Sequence, residues 1–145
     1  MSEDFVTHKQ ALALKKLGFN WELNRYYTDK GSLIYDAFAD DFNVGSGSAS
    51  APTLSLAQKW LLSNHEIFVT SDIRFSNYQS GNYSDPKYQY MIVDMRKENV
   101  AYRIESVYRG VLFNSPEEAL SAGITECLKL IENETSKTSQ KNNNP

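Results

Sequence analysis

Apolar residues recur at helical spacing in three stretches of the chain, and each stretch begins with a capping signal. Thr7-His8-Lys9-Gln10 is a capping box, in which the threonine oxygen and the glutamine amide satisfy free backbone groups at a helix start. We expect this helix to begin at His8 and to stop at Gly18, since glycine readily takes the left-handed conformation that ends helices. A second helix follows Pro52-Thr53, with an apolar face formed by Leu54, Ala57, Trp60 and Leu61.

The third helix has the fullest start signal, Ser115-Pro116-Glu117-Glu118, which combines a cap, a proline at the first position and a glutamate at the third. Its apolar stripe consists of Leu120, Ile124, Cys127, Leu128 and Ile131. Gly123 lies inside this helix, where glycine costs about 1 kcal/mol relative to alanine. We therefore expect the helix to approach a neighbouring element closely at Gly123.

Period-two alternation predicts strands between the helices. Residues 19–34 read as a short hairpin with turn chemistry at Asp29-Lys30-Gly31-Ser32, and further strands are expected at 66–76, 88–96 and 100–108. The last two should pair antiparallel through Lys97-Glu98-Asn99. Residues 45–50, rich in Gly and Ser, are predicted to be a flexible loop, and residues 78–86 a long loop.

The predicted fold is therefore a single α+β domain over residues 4–133, in which an antiparallel sheet carries three helices. The expected order is helix, hairpin, helix, three strands, helix. Residues 134–145 are polar and offer nothing to pack, so we expect a disordered tail there.

The composition is typical of one globular domain, and the net negative charge gives the chain no overall electrostatic attraction to nucleic acid or other polyanions. Of 145 residues 41% are hydrophobic and 23% are charged, with a formal net charge of −3. No apolar run approaches the length of a membrane helix, and the acidic start Met1-Ser2-Glu3-Asp4 does not resemble a signal peptide. Because the single cysteine, Cys127, cannot form an internal disulfide, we expect a cytoplasmic protein.

Residue types that carry catalysis or metal chemistry are sparse. The chain has only two histidines, His8 and His65, and neither belongs to a metal-binding motif. Cys127 falls on the apolar stripe of the last helix and is expected to be a core residue. We therefore expect no enzyme, no cofactor and no metal site.

An acidic cluster leaves one cation hypothesis open. Asp36 and Asp40 would share a face if their segment were helical, and with Asp41 they could hold a hard cation. Against this, the cluster has no calcium-loop spacing and alternates with apolar residues, which is typical of an ordinary amphipathic turn.

One face of the predicted sheet combines aromatic and cationic side chains. If Met91, Val93 and Met95 face the helices, the opposite face carries a candidate binding set of Arg74, Tyr88, Tyr90, Arg96 and Arg103. Such a surface suits single-stranded nucleic acid, which stacks on aromatic rings, or a protein partner. The interleaved Asp72, Asp94 and Glu105 favour the protein partner. The alternative is that residues 19–42 cover this face.

Four segments of the chain are similar to known sequences: Phe5-Val6-Thr7, Leu14-Lys15-Lys16-Leu17-Gly18-Phe19, Ala51-Pro52-Thr53-Leu54-Ser55 and Glu117-Glu118-Ala119-Leu120-Ser121-Ala122-Gly123-Ile124. Together they resemble a family of small uncharacterised proteins found in Bacteroidetes genomes and in their phages and mobile elements. The resemblance implies a bacterial or phage setting and brings no activity or site residue with it.

The order helix, three strands, helix from Pro52 onward is also that of double-stranded RNA-binding domains. Their last helix normally begins with clustered lysines, whereas this one begins with two carboxylates that would repel phosphate. The sequence therefore favours a small accessory or protein-interaction protein of a phage or mobile element, with a nucleic-acid-binding module as the alternative. It does not indicate an oligomeric state.

Overall fold

The computed structural model describes residues 4–77, 82–96, 101–103 and 112–142, which form three helices and six strands. The helices are α1 (His8–Lys16), α2 (Leu54–His65) and α3 (Pro116–Asn142). The strands are β1 (Leu23–Tyr27), β2 (Leu33–Asp40), β3 (Ala49–Ser50), β4 (Ile67–Asn77), β5 (Asn82–Asp94) and β6 (Ala101–Arg103). This confirms the α+β class with three helices and antiparallel strand pairing.

Contacts group the chain into two compact units, Met1–Phe68 and Val69–Pro145. The single domain predicted over residues 4–133 stays a prediction. None of the helices in the described ranges combines the length and apolar character needed to cross a membrane.

In the first unit, α1 starts as its capping box predicts. The Thr7 Oγ1 accepts a hydrogen bond from the Gln10 backbone N–H at 3.1 Å, and the Gln10 side chain accepts one from the Thr7 N–H at 2.8 Å. The helix ends at Lys16 with Leu17 as its cap, and Gly18 follows with φ of 92°. The buried face of α1 consists of Gln10, Ala11 and Leu14.

The predicted hairpin forms the sheet of this unit, in the order β2-β1-β3. β1 pairs antiparallel with β2, with Tyr26 opposite Ile34, and a bulge interrupts the register between Leu23 and Arg25. The turn closes where the Thr28 N–H donates to the Ser32 carbonyl at 2.9 Å, and Gly31 takes a φ of 86° there. β2 is therefore an edge strand of the described sheet.

The Gly/Ser segment differs from its prediction as a flexible loop at 45–50. Its last two residues form β3, which pairs antiparallel with β1 and is fully buried against α1. Small side chains permit this close packing, and Ser50 also gains hydrogen bonds: its Oγ accepts from the Phe42 N–H and its N–H donates to Asn43 Oδ1. The Gly/Ser composition predicted a flexible loop because composition contains no information about the strand, the helix and the side chains that this segment contacts in the fold.

The core of the first unit contains two large aromatic residues, Phe19 and Trp60, which are 1% and 2% exposed. Their ring centroids lie 5.3 Å apart at an interplanar angle of 53°, within the range of favourable aromatic pairs. Phe19 follows the end of α1 and Trp60 lies on α2, so this contact joins the two helices.

The second unit contains a sheet of order β4-β5-β6, in which β5 and β6 pair antiparallel with Val93 opposite Tyr102. Residues 82–86 of the loop predicted at 78–86 belong to β5, which begins at Asn82. Strand pairing overrides the turn-like composition of residues 82–86. Residues 78–81 and the predicted turn at 97–99 lie outside the described residues.

Helix α3 begins as predicted, with the Glu118 N–H donating to Ser115 Oγ at 3.1 Å. It continues to Asn142, beyond the start of the tail predicted to be disordered from residue 134. Two contacts support this extension: Thr135 Oγ1 donates to the Ile131 carbonyl at 3.0 Å, and Glu134 pairs with Arg96 at the end of β5. The structure thus differs from the expected tail in that α3 continues to Asn142, and local polarity does not reveal a partner such as Arg96, which lies 38 residues before Glu134.

Candidate protein-binding surface

Tyr90 does not lie on an exposed sheet face, contrary to the prediction for the set Arg74, Tyr88, Tyr90, Arg96 and Arg103. It is 4% exposed and faces α3, where an added methyl at Gly123 would lie 2.8 Å from Tyr90 Cβ. Tyr90, Ile92 and Asp94 are all buried, whereas Met95 is 41% exposed. Val93, from the set predicted to face the helices, is also buried, at 9% exposed, so side chains on both faces of β5 are buried and alternation alone cannot choose the face that meets α3.

Tyr88 is half-buried and belongs to a backbone bridge with Phe113. The Tyr88 N–H donates to the Phe113 carbonyl at 2.9 Å, and the Phe113 N–H donates back to the Tyr88 carbonyl at 2.8 Å. This bridge ties the segment before α3 to β5. The side chains of Arg74 and Arg103 lie outside the described residues, so their binding role stays a prediction.

Arg96 holds β5 and α3 together through two carboxylates. Its Nη2 lies 2.7 Å from Asp94 Oδ2 and 2.9 Å from Glu134 Oε1, and its Nη1 also bonds Glu134. The hydrogen bonds that Arg96 donates to Asp94, and then those that it donates to Glu134, raise the pKa of its guanidinium above the usual value. Because both carboxylates balance its charge, Arg96 is better suited to hold the fold than to bind phosphate.

The cysteine and the two histidines, the side chains best suited to nucleophilic or acid–base catalysis, pack against other residues of the fold. Cys127 is fully buried, and burial raises the pKa of its thiol to about 12, which keeps it protonated. The ring of His8 packs against Tyr27 at 5.2 Å between centroids, and that of His65 against Trp60 at 5.1 Å.

An open cavity of about 190 Å³ beside α1 includes His8, Lys15 and Asp29 in its lining. The Lys15 Nζ is already engaged, donating to the carbonyls of Gly45 and Ser48, each at 2.6 Å. The cavity is also smaller than the roughly 300–1,000 Å³ of typical small-molecule sites. It therefore provides weak support for a substrate pocket.

Asp36 and Asp40 lie on strand β2 rather than on a helix, so the shared helical face that would favour a cation does not form. Their carboxylates accept nearby backbone hydrogen bonds instead: Asp36 from the Phe38 N–H at 3.0 Å and Asp40 from the Asp41 N–H at 2.8 Å. Over the described ranges, no group of three or more His, Cys, Asp or Glu side chains could hold a metal ion.

The most exposed apolar surface of the first unit is strand β2, which sequence reasoning did not single out. Seven of its eight residues are exposed, so both faces of the strand are open. We define the β2 edge surface as its large apolar residues, with their exposed fractions: Leu33 (41%), Ile34 (36%), Tyr35 (63%) and Phe38 (83%). Large apolar side chains grouped on a sheet edge are unusual in a monomer and mark interaction sites.

Neighbouring side chains hold the β2 edge surface in place. The Arg25 guanidinium lies 4.3 Å from the Tyr35 ring centroid and 5.5 Å from that of Phe5, so it stacks on both rings. The Asn24 Nδ2 donates to the Asp36 carbonyl at 2.9 Å, which supports β2 beside the bulge in the β1–β2 register. β2 is thus an ordered strand with its outer side unoccupied by any described strand.

A sequence signal for this surface existed in the apolar run Leu33-Ile34-Tyr35 directly after the hairpin turn. Its exposure could not be read from the sequence, because the same run would suit a buried strand equally well. The segment around Asp36 and Asp40 was interpreted as an amphipathic turn, which hid the continuation of the strand to Asp40.

Comparison with known proteins adds no relationship: no protein-family model matches the chain, and neither a curated protein nor a solved structure matches it.

Proposed function

We propose that this chain is a small non-enzymatic interaction protein that binds a protein partner through the β2 edge surface. The observation that carries this proposal is the exposure of Tyr35 and Phe38 on an ordered edge strand. An edge strand presents free backbone donors and acceptors, and exposed aromatic residues supply the contact area that interface hot spots favour. Strand addition by a partner would use both features together.

The proposal of a non-enzymatic role is supported by the surroundings of the groups suited to catalysis. Cys127 is buried with a raised thiol pKa, and the Lys15 amino group is engaged by two carbonyls. The partner is proposed to be a protein because aromatic residues on an edge strand suit a peptide backbone better than a small substrate.

The alternative, a nucleic-acid-binding module on the outer face of the second sheet, has less support. Tyr90 is buried and Arg96 is paired with two carboxylates, so neither is available for stacking or phosphate contact. The β2 edge surface is also unsuited to nucleic acid, because Asp36 and Asp40 would repel phosphates.

The cellular setting belongs to the same proposal. We place the protein in the cytoplasm of a bacterium, as an accessory factor of a phage or mobile element. This rests on the resemblance of its helix caps and core segments to such proteins and on its single cysteine.

Affinity capture with three forms of the chain tests the proposed function. Phe38→Ser removes the most exposed aromatic side chain of β2, and Val44→Ser removes an equally exposed apolar side chain outside β2, since both residues are 83% exposed. We expect mass spectrometry to find a partner with the parent and with Val44→Ser, but not with Phe38→Ser. Capture that is unchanged by Phe38→Ser, or that is lost on nuclease treatment, would contradict the proposal.

A further inference from the structure

We propose that the partner segment received by the β2 edge surface is an extended peptide of another protein that carries both apolar residues and lysine or arginine. This inference rests on the proposed function and names the chemical class of its partner. It is carried by the combination of exposed aromatic residues and uncompensated acidic residues on one edge strand.

The backbone of β2 suits an extended peptide. β2 runs over eight residues, Leu33–Asp40, and no described strand lies on its outer side. An added strand would hydrogen-bond along Leu33–Tyr35, where β2 pairs regularly with β1. The register shifts before the next pair, Leu23 with Asp40, so Asp36 and Phe38 lie in the irregular part of β2, where their side chains stand beside the end of an added strand. Tyr35 and Phe38 would supply apolar contacts to such a strand, as aromatic residues do in cross-strand pairs.

The charge of β2 indicates a basic partner. Asp36 and Asp40 lie on the strand, Asp41 follows directly, and β2 contains no lysine or arginine. In the described part of the chain neither Asp36 nor Asp40 has an ion-pair partner, and their contacts are the backbone hydrogen bonds of Phe38 and Asp41. Arg25, on the adjacent strand β1, lies over the rings of Tyr35 and Phe5.

These charges also argue against the other occupants of such an edge. A second copy of the chain would bring another acidic β2 and no cation, so its carboxylates would stay uncompensated. A nucleic acid would place phosphates near three carboxylates. A peptide carrying Lys or Arg pairs with the carboxylates while its apolar residues contact Tyr35 and Phe38.

Fluorescence anisotropy with three labelled synthetic peptides tests the inference. Each peptide alternates valine with one polar residue, which is lysine in the first, serine in the second and glutamate in the third. We expect the lysine peptide to bind about tenfold more tightly than the serine peptide, to weaken as salt rises, and the glutamate peptide to bind weakest.

Variants of the chain locate the binding. Asp36→Asn with Asp40→Asn should reduce lysine-peptide affinity to that of the serine peptide. Glu117→Gln with Glu132→Gln, which removes two exposed charges from α3, should leave it unchanged. Phe38→Ser should weaken all three peptides about tenfold, whereas Val44→Ser should not.

Each remaining outcome overturns the inference in a recognisable way. If the lysine and serine peptides bind equally, and the double variant Asp36→Asn with Asp40→Asn does not change their affinity, the preference for a basic peptide is overturned. Strand addition at β2 would then still hold. Absence of binding by all three overturns the peptide inference, and the capture experiment then decides the proposed function separately. Sedimentation of a dimer that Phe38→Ser dissociates would identify a second copy as the occupant instead.

Discussion

Replacement of Gly123 by alanine tests how α3 packs on its sheet. Gly123 is buried in α3, and a methyl group there would lie 2.7 Å from Val69 Cγ1, 2.8 Å from Tyr90 Cβ and 3.1 Å from Tyr90 Cγ. Tyr90 Cβ is fixed to the backbone of β5, so it cannot move aside without shifting the strand. The close approach predicted from the sequence is thus present, and it explains why glycine is needed inside the helix.

Two opposing effects determine how much Gly123→Ala changes the free energy of unfolding. Alanine improves helix propensity by about 1 kcal/mol, whereas overpacking a well-packed core costs typically about 1–3 kcal/mol. The cost should fall near the upper end, because two of the three contacts are shorter than any that a real Cβ tolerates. We expect Gly123→Ala to lower the free energy of unfolding by about 2 kcal/mol, which corresponds to a decrease in Tm of about 6 °C.

Urea denaturation followed by circular dichroism measures this change. Gly45→Ala is the matched control, because a methyl there would meet nothing within 4 Å, and it should be neutral or slightly stabilising. Val69→Ala combined with Gly123→Ala should cost less than the sum of the two single changes, since removal of Val69 Cγ1 relieves one contact. If Gly123→Ala proved as stable as the parent, the account of this helix–sheet contact would be wrong.

Three further predictions concern other contacts. Arg96→Met should lower the free energy of unfolding by about 1–3 kcal/mol in urea melts, because it removes the cation that faces the buried Asp94 carboxylate. Glu134→Gln should lower it by less than about 1 kcal/mol, because the Glu134 side chain is 47% exposed. Equal losses in the two variants would refute this ranking. Burial raises the pKa of the Cys127 thiol from 9.0 to about 12, so the unfolded chain releases this proton at lower pH than the folded chain. The free energy of unfolding should therefore fall as pH rises from about 9 towards about 12, and fall less steeply in Cys127→Ala; parallel pH profiles of the two proteins would contradict it. Lys15→Met should speed backbone hydrogen exchange at residues 45–48, because the Lys15 Nζ donates to the Gly45 and Ser48 carbonyls. Lys16→Met, which changes an exposed side chain, should not change the exchange there. Similar exchange in both variants would argue against this role of Lys15.

Local signals predicted the helix starts, because a cap and its partner lie within one turn of sequence. Thr7 with Gln10 and Ser115 with Glu118 both form the hydrogen bonds that their spacing implies. Gly123 was also informative, since a costly residue in a helix interior requires a compensating contact.

The features that sequence reasoning missed depend on contacts between distant residues. The extension of α3 to Asn142 includes Glu134, whose partner Arg96 lies two residues after the end of β5. The burial of Tyr90 depends on the space left by Gly123, and alternation along β5 contains no information about which face meets a helix. The candidate surface on β2 was missed because hydrophobicity does not distinguish an exposed edge strand from a buried one.

Backbone hydrogen exchange, measured by NMR with and without saturating lysine peptide, tests most directly whether a partner adds to β2. The account predicts new protection of amides within Leu33–Asp40, with the turn at Val44 and the amides of α3 unchanged. Protection that appears elsewhere while exchange in Leu33–Asp40 stays as fast as in the free chain would contradict it.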